Sequence, residues 1–356
     1  MKKFAKMSLV TAVAVAGLTG TASAADLSEA IKGVDISGQF RLRYEDVATQ
    51  TKGNQNSSHF ADQDMDLEVT VKIPVTDNIT AVIKVDNAND DKSTVTKSSL
   101  NIEDYYFQYV NGATTVKFGQ QNIPGSIVDT TQGDGIVAFY NTGAFTVGAA
   151  AFMTNSYTDS DDLYSIFAKA KLGSVVLSTQ YADVVDLLSV FTVKADATVG
   201  PVKVGVEHIS KDKDNTANND FATTKAYISG SVDALSAKLT YVTTGKNGSG
   251  SFDDDEADSE YTLWNAASGG KADLSAAVVD LSYAISDKVS VRVAYLDGDY
   301  VASSVKRDIS ETLGQISYKM SSNLNTYFRI AQYEEDLATG SDTEKTRGRI
   351  EVKYSF

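Results

Sequence analysis

The chain has 356 residues, no cysteine and a formal net charge of −15, with 22% of its residues charged. The acidic balance excludes a nucleic-acid-binding face, which needs clustered Lys and Arg, and it suits a protein that draws cations toward a cavity. Without cysteine there is no disulfide framework, so stability must come from packing and from ladder hydrogen bonds.

Residues 1–24 read as a signal peptide. Lys2, Lys3 and Lys6 make a positive start, Met7 to Gly20 is apolar and small, and Ala22-Ser23-Ala24 offers an A-x-A cleavage site. A retained membrane anchor is disfavoured, because the apolar run is short and soon meets Asp26 and Glu29. Cleavage before Ala25 removes three lysines and takes the charge from −15 to −18. No later stretch has the roughly 18 consecutive apolar residues of a spanning helix. Residues 25–356 then form one domain, with no linker or compositional break.

After a lead-in of about one helical turn at Asp26–Gly33, Val34–Glu45 (VDISGQFRLRYE) alternates without interruption. Val34, Ile36, Gly38, Phe40, Leu42 and Tyr44 share one face, and Asp35, Ser37, Gln39, Arg41, Arg43 and Glu45 share the other. A helix would mix the two sets on one stripe, so the segment is a strand. The same period of two recurs from Met65 to Ile73, from Ile79 to Val85, and at Tyr105, Phe107 and Tyr109 before the hairpin signal Asn111-Gly112. Later examples are Val202–Ile209, Ala237–Thr243, Val289–Leu296, Leu324–Ala331 and the final Gly348–Phe356.

Connectors come in two kinds that take turns. Short ones fall at 76–78, 111–113, 142–144, 173–174, 198–201, 233–236, 286–288 and 321–323. Longer polar ones fall at 46–63, 87–98, 119–135, 154–162, 183–187, 212–220, 245–272, 297–308 and 335–345. The alternation predicts about eighteen strands, sixteen being the nearest alternative, with both ends of the sheet on the short-turn side.

The polar face carries full charges strand after strand, among them Asp66, Glu68, Lys84, Lys117, Lys203, Lys238, Arg292, Arg329, Arg349 and Lys353. The apolar rows match the roughly 9–11 residues of a tilted strand crossing a bilayer. Aromatic residues end those rows: Tyr109, Tyr283 and Tyr318 before short turns, and Tyr44, Tyr181, Tyr241 and Tyr295 before long loops. Two aromatic girdles and a charged inner face indicate an all-β transmembrane antiparallel barrel rather than a soluble sandwich. A lipid-immersed sheet must close, because each unpaired edge group costs several kcal/mol. At about eighteen strands the closed ring is too wide for side chains to fill, so its lumen holds water.

Two stretches carry a resemblance. Leu27–Tyr44 (LSEAIKGVDISGQFRLRY) and Tyr105–Ala149, with its Gln-rich step into the third long loop, resemble the Campylobacter-type major outer membrane porins. The ending at Phe356 after Tyr354 is similar to the aromatic C-terminal signature of outer-membrane barrels. The resemblance implies a homotrimeric general-diffusion porin of the bacterial outer membrane, surrounded by lipid and lipopolysaccharide. It also implies that the third loop folds into the lumen, while the outer loops here are shorter than in typical members.

The third long loop, Gly119–Gly135 (GQQNIPGSIVDTTQGDG), is therefore the expected constriction. Asp129 and Asp134 are expected on the inward loop and Arg41 and Arg43 on the facing wall, where opposed charges would set a transverse field and tune ion preference. The rival reading is an ordinary Gly-rich surface loop above a wall of scattered charges. Asp66, Glu68, Lys117 and Arg349 are expected as further pore-wall residues. The net charge and the acidic loop lean toward cations, with Arg41 and Arg43 opposing.

Catalysis finds no support. His59 and His208 are the only histidines, and His208 follows Glu207 in an alternating strand, so the two side chains point to opposite faces. No cofactor motif occurs. Asp212–Asp220 (DKDNTANND) starts like a calcium loop but has Ala217 at the sixth position and Thr223 at the last. A loosely bound divalent cation bridging loops or lipopolysaccharide is the one metal reading left. Small residues on the apolar face, Ala149, Ala151, Ala168 and Ala170, suit subunit contacts. The expected cargo is ions and small hydrophilic solutes. A secreted β-rich adhesion protein, with its long loops as a recognition surface, is the alternative from another class.

Overall fold

The computed structural model describes residues 33–52, 57–87, 100–125, 132–155, 158, 161–214, 216–217, 220–252, 262–337 and 342–356. The 1–24 signal segment and Asp129 lie outside the described residues. Eighteen strands account for almost all of the rest. The first six are β1 (Asp35–Thr51), β2 (Ser57–Thr76), β3 (Ile79–Asp86), β4 (Asn101–Asn111), β5 (Thr114–Asn122) and β6 (Gln132–Asn141). Next come β7 (Phe145–Asn155), β8 (Leu163–Leu172), β9 (Val175–Val184), β10 (Leu188–Val199), β11 (Val202–Lys213) and β12 (Phe221–Val232). The last are β13 (Leu235–Thr244), β14 (Ala272–Ala284), β15 (Val289–Ala302), β16 (Val305–Lys319), β17 (Leu324–Leu337) and β18 (Thr343–Ser355).

Every strand pairs antiparallel with its neighbours in sequence, and β1 also pairs with β18, from Gln39↔Ser355 to Thr51↔Thr343. The sheet is thereby a closed ring without an edge. Gly38 and Phe356 complete the seam with a reciprocal pair of backbone bonds of 2.9 and 3.0 Å. A Cβ at Gly38 would lie 2.2 Å from the Glu68 carbonyl oxygen, so the seam requires glycine there.

The outward face is the apolar one. Ile36, Phe40, Tyr44, Met65, Phe107, Phe118, Ile166, Tyr295, Ile330 and Ile350 are all exposed, as lipid-facing residues are in an isolated barrel. The charged positions alternate with them and face inward.

Several connectors are shorter than the sequence suggests, because the strands continue past the membrane band. The polar stretch 297–308 is a hairpin that turns at Ser303 and Ser304, both at positive φ (50° and 64°). The stretch 183–187 shrinks to residues 185–187, with Asp186 at φ 63°. Both tolerate the left-handed region as turn residues do. Loops of this kind look polar because a tall wall above the lipid is wetted on both faces.

Inside the ring the alternation of charge is not uniform. Around β6–β11 the inward residues Val137, Ala150, Phe152, Leu163, Ala182, Val184, Val190 and Ile209 are apolar and buried, with Ile123 and Phe252 from two connecting segments packed on them. A second apolar group joins Val242, Ala276, Val278, Leu296 and Ile309 to Ala266. Inward apolar wall is thus the seat on which incoming loops rest.

Candidate pore constriction

The third long loop turns inward as it leaves β5. Ile123 is only 4% exposed within the apolar group. Gln180 on β9 donates Nε2 to the Pro124 carbonyl oxygen at 2.6 Å and to Ser165 Oγ at 3.0 Å. Gly125 has φ +125°, and a Cβ there would meet Gln180 Oε1 at 1.7 Å, so a glycine is needed where the chain presses on the wall.

Asp134 departs from expectation. It lies in β6 rather than in the loop, opposite Gln120 in the register, and shares the outward face with Ile136 and the exposed Tyr140. Its carboxylate accepts a 3.2 Å bond from Thr154 Oγ1 at the exposed rim. The glycines on both sides of Asp134 suggested a loop, but Gly133 and Gly135 pack flat against Phe152, and their lack of a side chain is what lets β6 pass there.

Arg41 and Arg43 face the lumen, yet their partners are along the wall rather than across it. Arg41 pairs with Asp66, its register neighbour on β2. Arg43 bridges Glu351 at 2.8 Å and Asp64 at 3.8 Å. The reason is distance: same-face neighbours on adjacent strands are about 5 Å apart, whereas eighteen strands about 4.8 Å apart close into a ring roughly 30 Å wide. Glu68 accepts from Gln39 Nε2 at 2.8 Å and pairs with Lys84 at 3.5 Å. Lys117 sits 4.9 Å over the Tyr106 ring.

Charge is unevenly spread around the ring, with the acids densest on β2–β4. A register shift at Lys84/Val85 places Glu103 and Asp104, two consecutive acids, beside Lys84, so Asp66, Glu68, Asp86, Glu103 and Asp104 form an acidic arc on β2–β4. Nine strands away, directly across the ring, the inward lysines Lys203, Lys225 and Lys238 stand on β11–β13, with Asp196 4.0 Å from Lys203, Glu207 in register with Lys225 and Asp280 in register with Lys238, so that side is closer to balanced charge. A third arc is arginine-rich. Arg292, Gln315, Arg329, Arg349 and Glu45 form one row across β15–β1. Glu45 there accepts from Arg347 Nε at 2.7 Å and from Arg349 Nε at 2.5 Å.

A second segment turns inward between β13 and β14, where the sequence predicts only a long polar loop. Residues 262–268 descend onto the arginine arc. Glu311, 0% exposed, accepts from the Asn265 backbone at 2.9 Å, from Asn265 Nδ2 at 2.9 Å and from the Ala266 backbone at 2.8 Å. Trp264 then packs on Ala294, Leu313 and Ala331, with the guanidinium carbons of Arg329, Arg347 and Arg349 at 5.0, 4.5 and 5.2 Å from its ring. Two signals were available in the sequence. Trp264 is the sole tryptophan, placed in a loop otherwise acidic and small, and Glu311 interrupts the inward apolar positions Ile309 and Leu313. The acidic run Phe252–Glu260 lies outside the described residues except for Phe252, which is buried.

The histidines are apart from these arcs. His59 meets Asp46 at 3.0 Å on the exposed rim, and His208 Nδ1 meets Thr224 Oγ1 at 2.8 Å while Glu207 is buried on the other face.

Comparison with known proteins agrees with this geometry. A family model described as Campylobacter major outer membrane protein matches residues 1–172. No curated protein matches the sequence. Among solved structures, Pseudomonas aeruginosa OpdK with vanillate superposes with a TM-score of 0.69 at 13% identity, covering 90% of this chain and 99% of that one. P. aeruginosa OccK2 (OpdF) gives 0.70 at 12% identity, and Acinetobacter baumannii OccAB4 gives 0.68 at 12%, each covering 90% of this chain and 98% of the other. With its closed ring, greasy exterior and charged interior, the chain has the eighteen-stranded fold of outer-membrane porin barrels and is similar over residues 1–172 to the Campylobacter major outer membrane protein family.

Proposed function

We propose that the barrel is a water-filled channel for passive diffusion of ions and small hydrophilic solutes, with a mild preference for cations. The observation that carries this reading is the uneven charged interior: the acidic arc on β2–β4 faces the more nearly balanced lysine side of β11–β13 across the ring. Such opposed arcs impose a transverse field that orients dipolar solutes and resists bulky apolar ones. The net charge of −15 and the acidic arc favour cations, and the lysines keep the preference small.

The channel works as a homotrimer in this reading, with lipid and lipopolysaccharide around it. Support comes from a groove of about 690 Å³ on the outer face over β5–β10. It is floored by Ala138, Ala149 and Ala168 and flanked by Tyr140, Tyr181 and Phe191, a shape a neighbouring barrel can fill. Loosely held divalent cations at the rim stay part of the proposal, with no role in conduction.

Reconstitution in a planar bilayer tests it. Stepwise conductance is expected, with a reversal potential on the cation side in a salt gradient. A folded protein that never conducts would favour the adhesion reading instead.

A further inference from the structure

We propose that Trp264, positioned by Glu311, is a specificity-determining lid that keeps three arginines of the pore wall from attracting anions. The inference rests on the channel reading and adds a residue that helps to maintain its ion preference.

A guanidinium meets an anion through the N–H donors on its edge, and its flat face takes a ring. Both are occupied here. Glu45 takes the edges of Arg347 and Arg349, and Gln315 Oε1 takes Arg329 Nε at 2.7 Å. The Trp264 ring packs on all three, its centre within 5.2 Å of each guanidinium carbon, and the Tyr327 ring lies 4.9 Å from that of Arg329. The indole face is the negative pole of its quadrupole, so it offsets the cluster's field while excluding a solute that would compete for it. Arg347 and Arg349 share the Glu45 carboxylate, Arg329 has a neutral partner in Gln315, and Arg329 and Arg349 are directly opposed in the register, which alone is repulsive.

The lid is fastened, not merely resting. Two consecutive backbone amides and one side-chain amide converge on the fully buried Glu311, at 2.8 to 3.0 Å. The wall beneath is cut back to Ala294 and Ala331, which leaves room for the indole.

Single-channel recordings of the full-length protein with Trp264→Ala, Trp264→Leu and Trp264→Ala/Arg329→Gln/Arg347→Gln test the proposal, with folding checked by mobility on unheated gels. Trp264→Ala is expected to raise conductance and to lower the K⁺/Cl⁻ permeability ratio about two-fold. The triple variant should keep the higher conductance and recover the ratio, which a mere widening of the pore would not do. Trp264→Leu, which fills the space without a ring, should show the selectivity shift with less change in conductance. A folded Trp264→Ala or Trp264→Leu channel with unaltered selectivity overturns the proposal. Since the chain has one tryptophan, acrylamide quenching reports the lid even if no variant conducts. Glu311→Ala should expose the indole to quencher and Glu311→Gln should largely protect it, whereas equal quenching in wild type and Glu311→Ala refutes the fastening. Silence of the wild-type protein in the bilayer, by contrast, would refute the channel reading itself.

Discussion

Two inner walls of this barrel hold an incoming loop by opposite means. At β6–β11 the seat is apolar: Phe152, Leu163 and Ile209 accept Ile123 of the third loop, with one polar latch from Gln180 to the Pro124 carbonyl. At β15–β1 the seat is charged: a buried carboxylate and three guanidiniums receive Trp264 and its neighbours. The apolar seat gains from area removed from water, which is non-directional. The charged seat fixes orientation through directed bonds whose loss leaves buried groups unpaired. The first holds a loop against the wall, whereas the second also fixes which atoms meet the lumen.

The apolar seat should be the more sensitive of the two to truncation. Phe152→Ala should cost about 3–5 kcal/mol, as for other buried Phe truncations, and lower the temperature at which the folded band is lost on detergent gels. Selectivity should change less than stability, because the seat itself carries no charge. On the charged side, Glu311→Ala should cost on the order of 3 kcal/mol, since a buried charged acceptor is removed from several amides; quencher access to Trp264 together with a denaturant titration reports it. Arg41→Gln should cost on the order of 2 kcal/mol, because Asp66, its side chain 12% exposed, loses a charge-assisted partner. It should still shift the reversal potential toward cations, an effect that fades at high salt as charges are screened. Asp134→Asn, on the outward rim, should leave reversal potential and stability within error. A clear change in selectivity would show that its carboxylate reaches the lumen.

The same contrast decides what the sequence made legible. The period of two, the alternation of short and long connectors and the aromatic ends are local properties, so strand number, facing and closure could all be read from them. Parity alone puts Arg41, Arg43, Asp66, Glu68, Lys117 and Arg349 on the face opposite the apolar one, and the register keeps them on it. Pairing was harder, because it depends on register between strands such as β1 and β18 that are some 300 residues apart. Asp134 was misplaced because glycine marks both loops and close strand contacts, and Gly133 and Gly135 are of the second kind. The β13–β14 segment escaped notice because a loop's direction depends on its seat, and Glu311 reads as one more wall charge until its burial is known.

The seam between β1 and β18 has a consequence for assembly. Every other junction joins strands close along the polypeptide, so hairpins can form as soon as their two arms exist, with little loop-closure entropy. The β1–β18 joint and the Glu45 bridges to Arg347 and Arg349 must wait for the remaining ribbon to come round. Until then two unpaired margins stay open, each a template for adhesion to another chain. The slow step in forming this barrel is therefore the meeting of its two outermost staves, and a chaperone that shields either margin would raise the yield most.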